Sequence, residues 1–265
     1  MAKKLADPNA TIGVLFNQFD YVRYSGDFPD SDQNGYVYSF QPSLPIPLSK
    51  NVNLFVRPLI PVYLGQPTLG TEGFRQKSGL GNISVDVAVG KTFPSKWMAL
   101  VGVFAGFPTA SVSELRSNFT TVGPEIVIGK STSWGFFGAL FSHAWSVNSS
   151  DPDLDSFTIL EDSFWTGTAG VNKRASVTAG QYFYTVNLSK GWQIQATPTY
   201  AYNHKAENGN RLTLPVGTGV TKVITLGKLP IKLNLQYWYY VSSPDNFGPQ
   251  HQIRLQVAPV VPLPW

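Results

Sequence analysis

The side chains that could do chemistry are few and scattered. Asp151, Asp153 and Asp155, with Asp162 beyond them, have the alternate spacing of a calcium-binding loop. Pro152, and Ser156 where the sharp turn wants glycine, depart from that pattern. The expectation is a solvated acidic loop and no resident metal. There are three histidines, His143, His204 and His251, and Ser142 directly precedes the first. A serine hydrolase needs Ser, His and an orienting group within reach of one another. Neighbours on an extended strand point to opposite faces, so Ser142 and His143 cannot pair and no enzyme is expected. The absence of cysteine removes thiolate zinc sites, disulfides and cysteine nucleophiles together. The glycine-rich stretch Gly70 to Gly81 is no phosphate cradle, because no helix follows it. No cofactor is expected.

The elements that hold these residues are all extended. The chain has 265 residues, a net charge of +4 and only 14% charged residues, with 14% aromatic. So little charge with so many rings excludes a disordered chain. The positive charge is spread out, which gives no footprint for nucleic acid. The longest uncharged apolar run, Trp97 to Phe107, is too short for a membrane helix. No segment keeps apolar residues at helical spacing over three turns without Gly or Pro. The N-terminus is basic but has no apolar stretch behind it, unlike a signal peptide.

What recurs is alternation. Leu229, Ile231, Leu233, Leu235 and Tyr237 interleave with Lys232, Asn234 and Gln236, and Ile253, Leu255 and Val257 with Gln252, Arg254 and Gln256. Cutting at turn signals predicts twelve strands: 10–25, 36–48, 52–66, 80–93, 97–111, 120–130, 134–149, 176–188, 192–205, 211–226, 229–243 and 251–265. Five connections are tight and the other six, 26–35, 67–79, 112–119, 150–175, 206–210 and 244–250, are generally longer. An even strand number with tight turns at one end is the pattern of an outer-membrane barrel. The fold class is therefore all-β: a transmembrane antiparallel β-barrel spanning 10–265, with short periplasmic turns, longer extracellular loops and a periplasmic tail at 1–9.

Parity then assigns the faces. The polar face carries Arg57, Asp86, Glu125, Gln193, Gln195, Lys232, Gln236 and Arg254, among others. In a soluble core these would need a complete network of partners, whereas around a wet lumen they need only water. The charged members are either a mixed-charge constriction or ion pairs bracing the wall. Strands 10–25 and 134–149 do not alternate cleanly, and their faces stay unassigned. Twelve strands close at a backbone diameter of roughly 24 Å and leave an opening on the order of 10 Å unless loops fill it.

Aromatic residues sort by end. Trp97, Trp134 and Trp192 open strands just after tight turns, and Trp265 ends the chain on that side. Tyr21, Tyr24, Tyr36, Tyr38, Tyr63, Trp145, Tyr182, Tyr184, Tyr200, Tyr202, Tyr237 and Tyr239 form a second set assigned to the opposite end. Two such rings are membrane girdles. Prolines cluster at Pro42, Pro45, Pro47, Pro58, Pro61, Pro259 and Pro262. Each removes a ladder donor, so they either bend the wall around strands 1–3 and 12 or weaken it enough for a side opening towards lipid.

Several segments resemble a known family. Gly79-Leu80-Gly81-Asn82, within Phe74 to Ile83, resembles a Gly-Leu-Gly-Asp motif. Gly138 to Trp145 looks like Gly-Ala-Leu-x-Asn-His-x-Trp, with Ser142 in the Asn position. Gly180 to Tyr184, followed by Gly191-Trp192, is similar to Gln-Pro-Phe-x-Tyr and Gly-Trp elements. These belong to a large family of bacterial outer-membrane channels linked to the phenol-degradation meta-pathway. The resemblance implies a passive channel for small hydrophobic or aromatic compounds. The alternatives are a general hydrophilic diffusion pore and a loop-plugged structural or adhesion barrel. The expected partners are outer-membrane lipid, lipopolysaccharide and small solutes, with no nucleic acid, and the barrel is expected to be a monomer.

Overall fold

The structure, a computed structural model, describes residues 12–117, 119–149, 160–162, 166–168 and 175–263. The expected tail 1–9, Trp265 and the Asp151, Asp153 and Asp155 cluster lie outside the described residues. Sixteen strands are described: β1 (Gly13–Ser25), β2 (Gln33–Ser49), β3 (Val52–Gly70), β4 (Gly73–Leu80), β5 (Ser84–Thr92), β6 (Trp97–Gly106), β7 (Phe119–Ser131), β8 (Gly135–Ser149), β9 (Leu160–Asp162), β10 (Thr166–Thr168), β11 (Ser176–Asn187), β12 (Trp192–Ala196), β13 (Thr199–Asn203), β14 (Leu212–Leu226), β15 (Leu229–Ser242) and β16 (Gly248–Val261).

They make a closed antiparallel barrel of twelve staves. β4 and β5 together form the fourth stave, and β12 and β13 the ninth. The first and last strands close it, with Asp20 opposite Arg254. β9 and β10 pair only with each other as a short hairpin. Two expectations are corrected in detail. Residues 67–79 form no loop: β3 continues to Gly70 and returns through β4, turning at Gly73, whose φ of 94° suits glycine. The stretch 192–205 is broken at Thr197-Pro198, because proline brings no N–H to the ladder.

All five tight connections lie at one end, and Asn51, Lys96, Lys190 and Gly227 turn four of them with left-handed backbones. Alternation fixes which side of each strand meets lipid. On β15, Lys232, Asn234, Gln236 and Trp238 are buried while Leu235, Tyr237, Tyr239 and Val241 are exposed. β16 buries Gln252, Arg254 and Gln256 and exposes Ile253 and Leu255. An apolar exterior with polar side chains turned inward is the inverse of a soluble barrel, and closing the sheet leaves no edge strand exposed to the hydrocarbon layer.

Candidate solute path through the barrel

The interior is not one environment but two. Phe55, Ala88, Met98, Leu100, Phe104, Val127, Phe136 and Leu140 form a continuous buried apolar cluster that extends to Val177 and Ala179. It lines the half built from β3, β5–β8 and β11. The opposite half, built from β12, β14–β16 and β1, is polar. There Thr221 donates to Gln195, Asn234 donates to Thr221, and Trp238 Nε1 donates to Gln236 Oε1 at 3.0 Å. Gln193 donates to Asn187 Oδ1 at 2.7 Å.

These polar side chains bond one another along the wall, within one strand or between adjacent staves. Gln193, Thr221, Asn234, Gln236 and Trp238 are each no more than 1% exposed. Side chains so little exposed do not face an open bore, so the opening on the order of 10 Å that backbone geometry allows is largely filled beside this wall.

The charged residues separate into three settings. Arg57 stands on β3, and its two acidic partners stand on β5 and β7, strands that also carry the apolar cluster. Its guanidinium contacts Asp86 Oδ2 at 3.0 Å and Glu125 Oε1 at 3.5 Å. Glu125 reaches it across β6 because the intervening inward position is Gly102, where a Cβ would come within 2.4 Å of the Val87 carbonyl. Two carboxylates against one guanidinium leave one negative charge in excess when all three are ionised. Of the three side chains, Arg57 is the one open to solvent, at 22%.

Arg254 stands elsewhere, in an ion pair that braces the wall. Its Nε and Nη2 donate to the two oxygens of Asp20 at 2.7 and 2.8 Å, and its guanidinium lies 4.5 Å from the centroid of the Trp238 ring. Asp20 went unassigned in the sequence because β1 does not alternate cleanly. Lys232 is buried and inward and makes no ion pair among the described residues.

The extracellular mouth is capped. Leu115 and Ala110, on the connection between β6 and β7, pack on Val37 and Tyr63. Asn82 Nδ2 donates to Leu115 O and Asn82 Oδ1 accepts from Ala110 N, while Lys77 pairs with Glu114. A second cluster joins Val22, Tyr24 and Phe247, with Phe28, Leu69 and Phe74 against it. Tyr24 and Tyr63 therefore point inward and do not belong to the expected girdle. Strand length misplaces two more: Tyr182 and Tyr184 lie in the middle and tight-turn half of β11.

Trp97, Trp134 and Trp192 stand exposed at the tight-turn end, with Lys130 over Trp97 at 4.9 Å and Lys222 over Trp192 at 4.8 Å. The prolines act on the ladder locally. β2 and β3 pair from Tyr36 to Phe40 and again from Leu44, so 41–43 and 57–59, which hold Pro42 and Pro58, face each other unpaired. The β1–β2 ladder is unbroken from Val14 to Tyr24, whereas the β15–β16 ladder ends at Pro259 and the β1–β16 ladder skips Leu15 and Phe16 opposite Ala258 and Pro259. Pro45, Pro47 and Pro61 take register partners, and Pro262 lies past the end of β16.

Ser142 and His143 are separated as their adjacency requires. Ser142 points inward and donates to Ala179 O. His143 points outward and meets Ser176 and Thr178, and the Thr178 hydroxyl also contacts His204 at 2.8 Å. Among the described residues no carboxylate or amide hydrogen-bonds either ring, as a hydrolytic relay requires.

No protein-family model and no curated protein matches the chain. Solved structures do. An outer membrane channel from Pseudomonas putida F1 superposes with a TM-score of 0.65 over 94% of both chains, at 14% identity. The NanC porin superposes with a TM-score of 0.55 over 94% of this chain and 100% of its own, at 11% identity. The chain has the fold of an outer-membrane barrel. At such identities the likeness fixes the architecture and leaves the solute to the residues.

Proposed function

We propose that the protein is a passive outer-membrane channel for small molecules, and that its solutes are hydrophobic or aromatic compounds. The observation that carries this is the continuous apolar half of the interior, from Phe55 through Phe104 and Phe136 to Ala179. A strand facing lipid on one side and water on the other alternates; β6 instead buries Met98, Leu100 and Phe104 while exposing Val101 and Val103. Apolar side chains on the inner face as well suit a path that takes greasy solutes from water. The polar half is bonded to itself and offers little to a hydrophilic solute. Arg57, the most open of the inward charged groups, gives one polar contact beside the apolar wall.

The channel would act as a single barrel within lipopolysaccharide and phospholipid, driven only by the solute gradient. A solute of this kind gains by leaving the interior sideways into lipid, because it then avoids the polar end of the barrel. The capped mouth favours one other reading, a structural barrel plugged by its loops. Planar-bilayer recording separates them: discrete conductance steps support a channel, and a silent, correctly inserted barrel supports the plug.

A further inference from the structure

The ladder is interrupted between the ninth stave and β14, although the strands stay close at its tight-turn end, where a Cβ on Gly219 would come within 2.8 Å of Gln195 O. Pairing there runs from Trp192 opposite Lys222 to Ile194 opposite Val220, and resumes with Ala201 opposite Thr213. The register is the same on both sides of the break. Residues 195–200 and 214–219 therefore face each other in equal number with no ladder between them, and neither strand carries a bulge against the other. At about 3.3 Å per residue the break is roughly 20 Å long. Both flanks hold. β11 keeps one register with β12 and with β13, and β14 stays paired to β15 from Pro215 to Leu226. Pro198 and Pro215 stand on the two lips and have no N–H to give. Gly217 lies so close to β15 that a Cβ would come within 2.3 Å of the Trp238 ring.

Side chains take the place of the ladder. On the outer face, Tyr182 Oη donates to Pro215 O and Tyr184 Oη donates to Gly217 O, each at 3.1 Å. Both tyrosines start on β11 and reach across the ninth stave. Ala196 and Pro198 have the outward parity of exposed Trp192 and Ile194, yet they are buried, as residues beneath those rings must be. On the inner face, Gln236 Oε1 accepts from Thr197 N at 2.9 Å. In hydrocarbon no water can replace a lost partner, so these bonds keep the seam shut. Each tyrosine gives one neutral bond, and Gln236 holds Thr197 through both the backbone N–H and the hydroxyl of that residue. A rotamer change of these side chains opens them, which a continuous ladder does not allow. The apolar half of the interior ends here, where Phe183 and Ala201 pack against its cluster.

We propose that this seam is a lateral port, latched by Tyr182, Tyr184 and Gln236, through which an apolar or aromatic solute passes between the barrel interior and the lipid. The port rests on the channel reading and adds its exit. It is longer than the parting at 41–43 and 57–59, and it alone adjoins the end of the apolar cluster on β11.

The chain has no cysteine, which allows two clean tests. In the first, Thr197→Cys is placed in proteoliposomes and alkylated with a maleimide that partitions into the bilayer. Replacing Tyr182 and Tyr184 by Phe keeps the rings and removes the latch hydroxyls. The expected result is alkylation faster by roughly tenfold, the effect of about 1.4 kcal/mol of lost hydrogen bonding. An unchanged rate overturns the port, whatever the barrel conducts. In the second, Thr199→Cys with Pro215→Cys spans the seam at positions that one register places opposite. In vesicles whose outer leaflet is lipopolysaccharide, oxidation is expected to abolish the protein-dependent delivery of a monocyclic aromatic solute into the bilayer, and reduction to restore it. Delivery by the wild type that persists in the oxidised form overturns the port and leaves the channel standing. Absence of delivery by the wild type defeats the channel reading instead, and the alkylation rate still decides the seam.

Discussion

Removing the carboxylate of Asp20 isolates a buried charge at the seam where the barrel closes. Asp20 and Arg254 are register partners on the first and last strands, and their side chains are 1% and 4% exposed. Two charge-assisted bonds of 2.7 and 2.8 Å join them, and Trp238 covers the guanidinium. Asp20→Ala leaves the arginine without its acceptor in a place water scarcely reaches. Loss of one partner of a buried pair costs about 3–5 kcal/mol. With a denaturant slope of about 2–3 kcal/mol per molar, the urea midpoint falls by about 1–2.5 M. The double variant Asp20→Leu with Arg254→Met removes both charges and keeps the volume, and it is expected to recover most of that loss. The assay is urea unfolding in phospholipid vesicles, followed by tryptophan fluorescence and by the heat-dependent shift in gel mobility. A single variant within about 0.5 kcal/mol of wild type, the range of ordinary surface substitutions, would refute the reasoning. So would a double variant less stable than either single.

Three further outcomes follow from the same geometry. Arg57→Gln leaves Asp86 and Glu125 facing each other without their cation, so reversal potentials in a salt gradient should shift towards cation preference; an unchanged potential would place Arg57 outside the conducting path. Hydrogen bonds from Lys77 and Ser113 hold the Glu114 carboxyl down at about 2. A lowered carboxyl supports the fold fully above its ordinary value of about 4.3 and progressively less as pH falls towards its folded value. Amide exchange across 107–117 should therefore speed up as pH drops through that window, beyond the intrinsic change, and Glu114→Gln should remove the effect. Leu115→Ala removes the fully buried centre of the mouth cap, at about 2–5 kcal/mol locally, so the connection should become open to protease and single-channel conductance should rise. Conductance equal to wild type would show that the cap does not limit flow.

The barrel was legible because its polar half writes a period of two. Lys232, Asn234 and Gln236 alternate with Leu233, Leu235 and Tyr237, and lipid on one face with polar contact on the other demands just that. The apolar half left no such mark. Where both faces are apolar, as in Ala99-Leu100-Val101-Gly102-Val103-Phe104, alternation vanishes and an inward Phe reads like an outward one. For the same reason the Asp20 partner of Arg254 was hidden: Phe16 to Val22 mixes aromatic and polar residues on both faces. Prolines were a readable sign of weak wall, but their effect depends on the facing strand. Pro259 ends the ladder to β15 opposite Ile231 and leaves only a two-residue gap against β1, while Pro198 and Pro215 lie within the longest break among the described residues. The mouth cap depends on Leu115 folding back onto Tyr63, a contact that no local pattern encodes.

Solute flux decides the central claim. An aromatic hydrocarbon crosses phospholipid unaided, so the vesicles must carry lipopolysaccharide in the outer leaflet, where the barrier lies. Entry of a monocyclic aromatic compound should be faster with the barrel than without it, while a sugar of similar size should gain nothing. Equal aromatic entry with and without protein, or a sugar admitted as fast as the aromatic, would contradict an apolar path through this barrel.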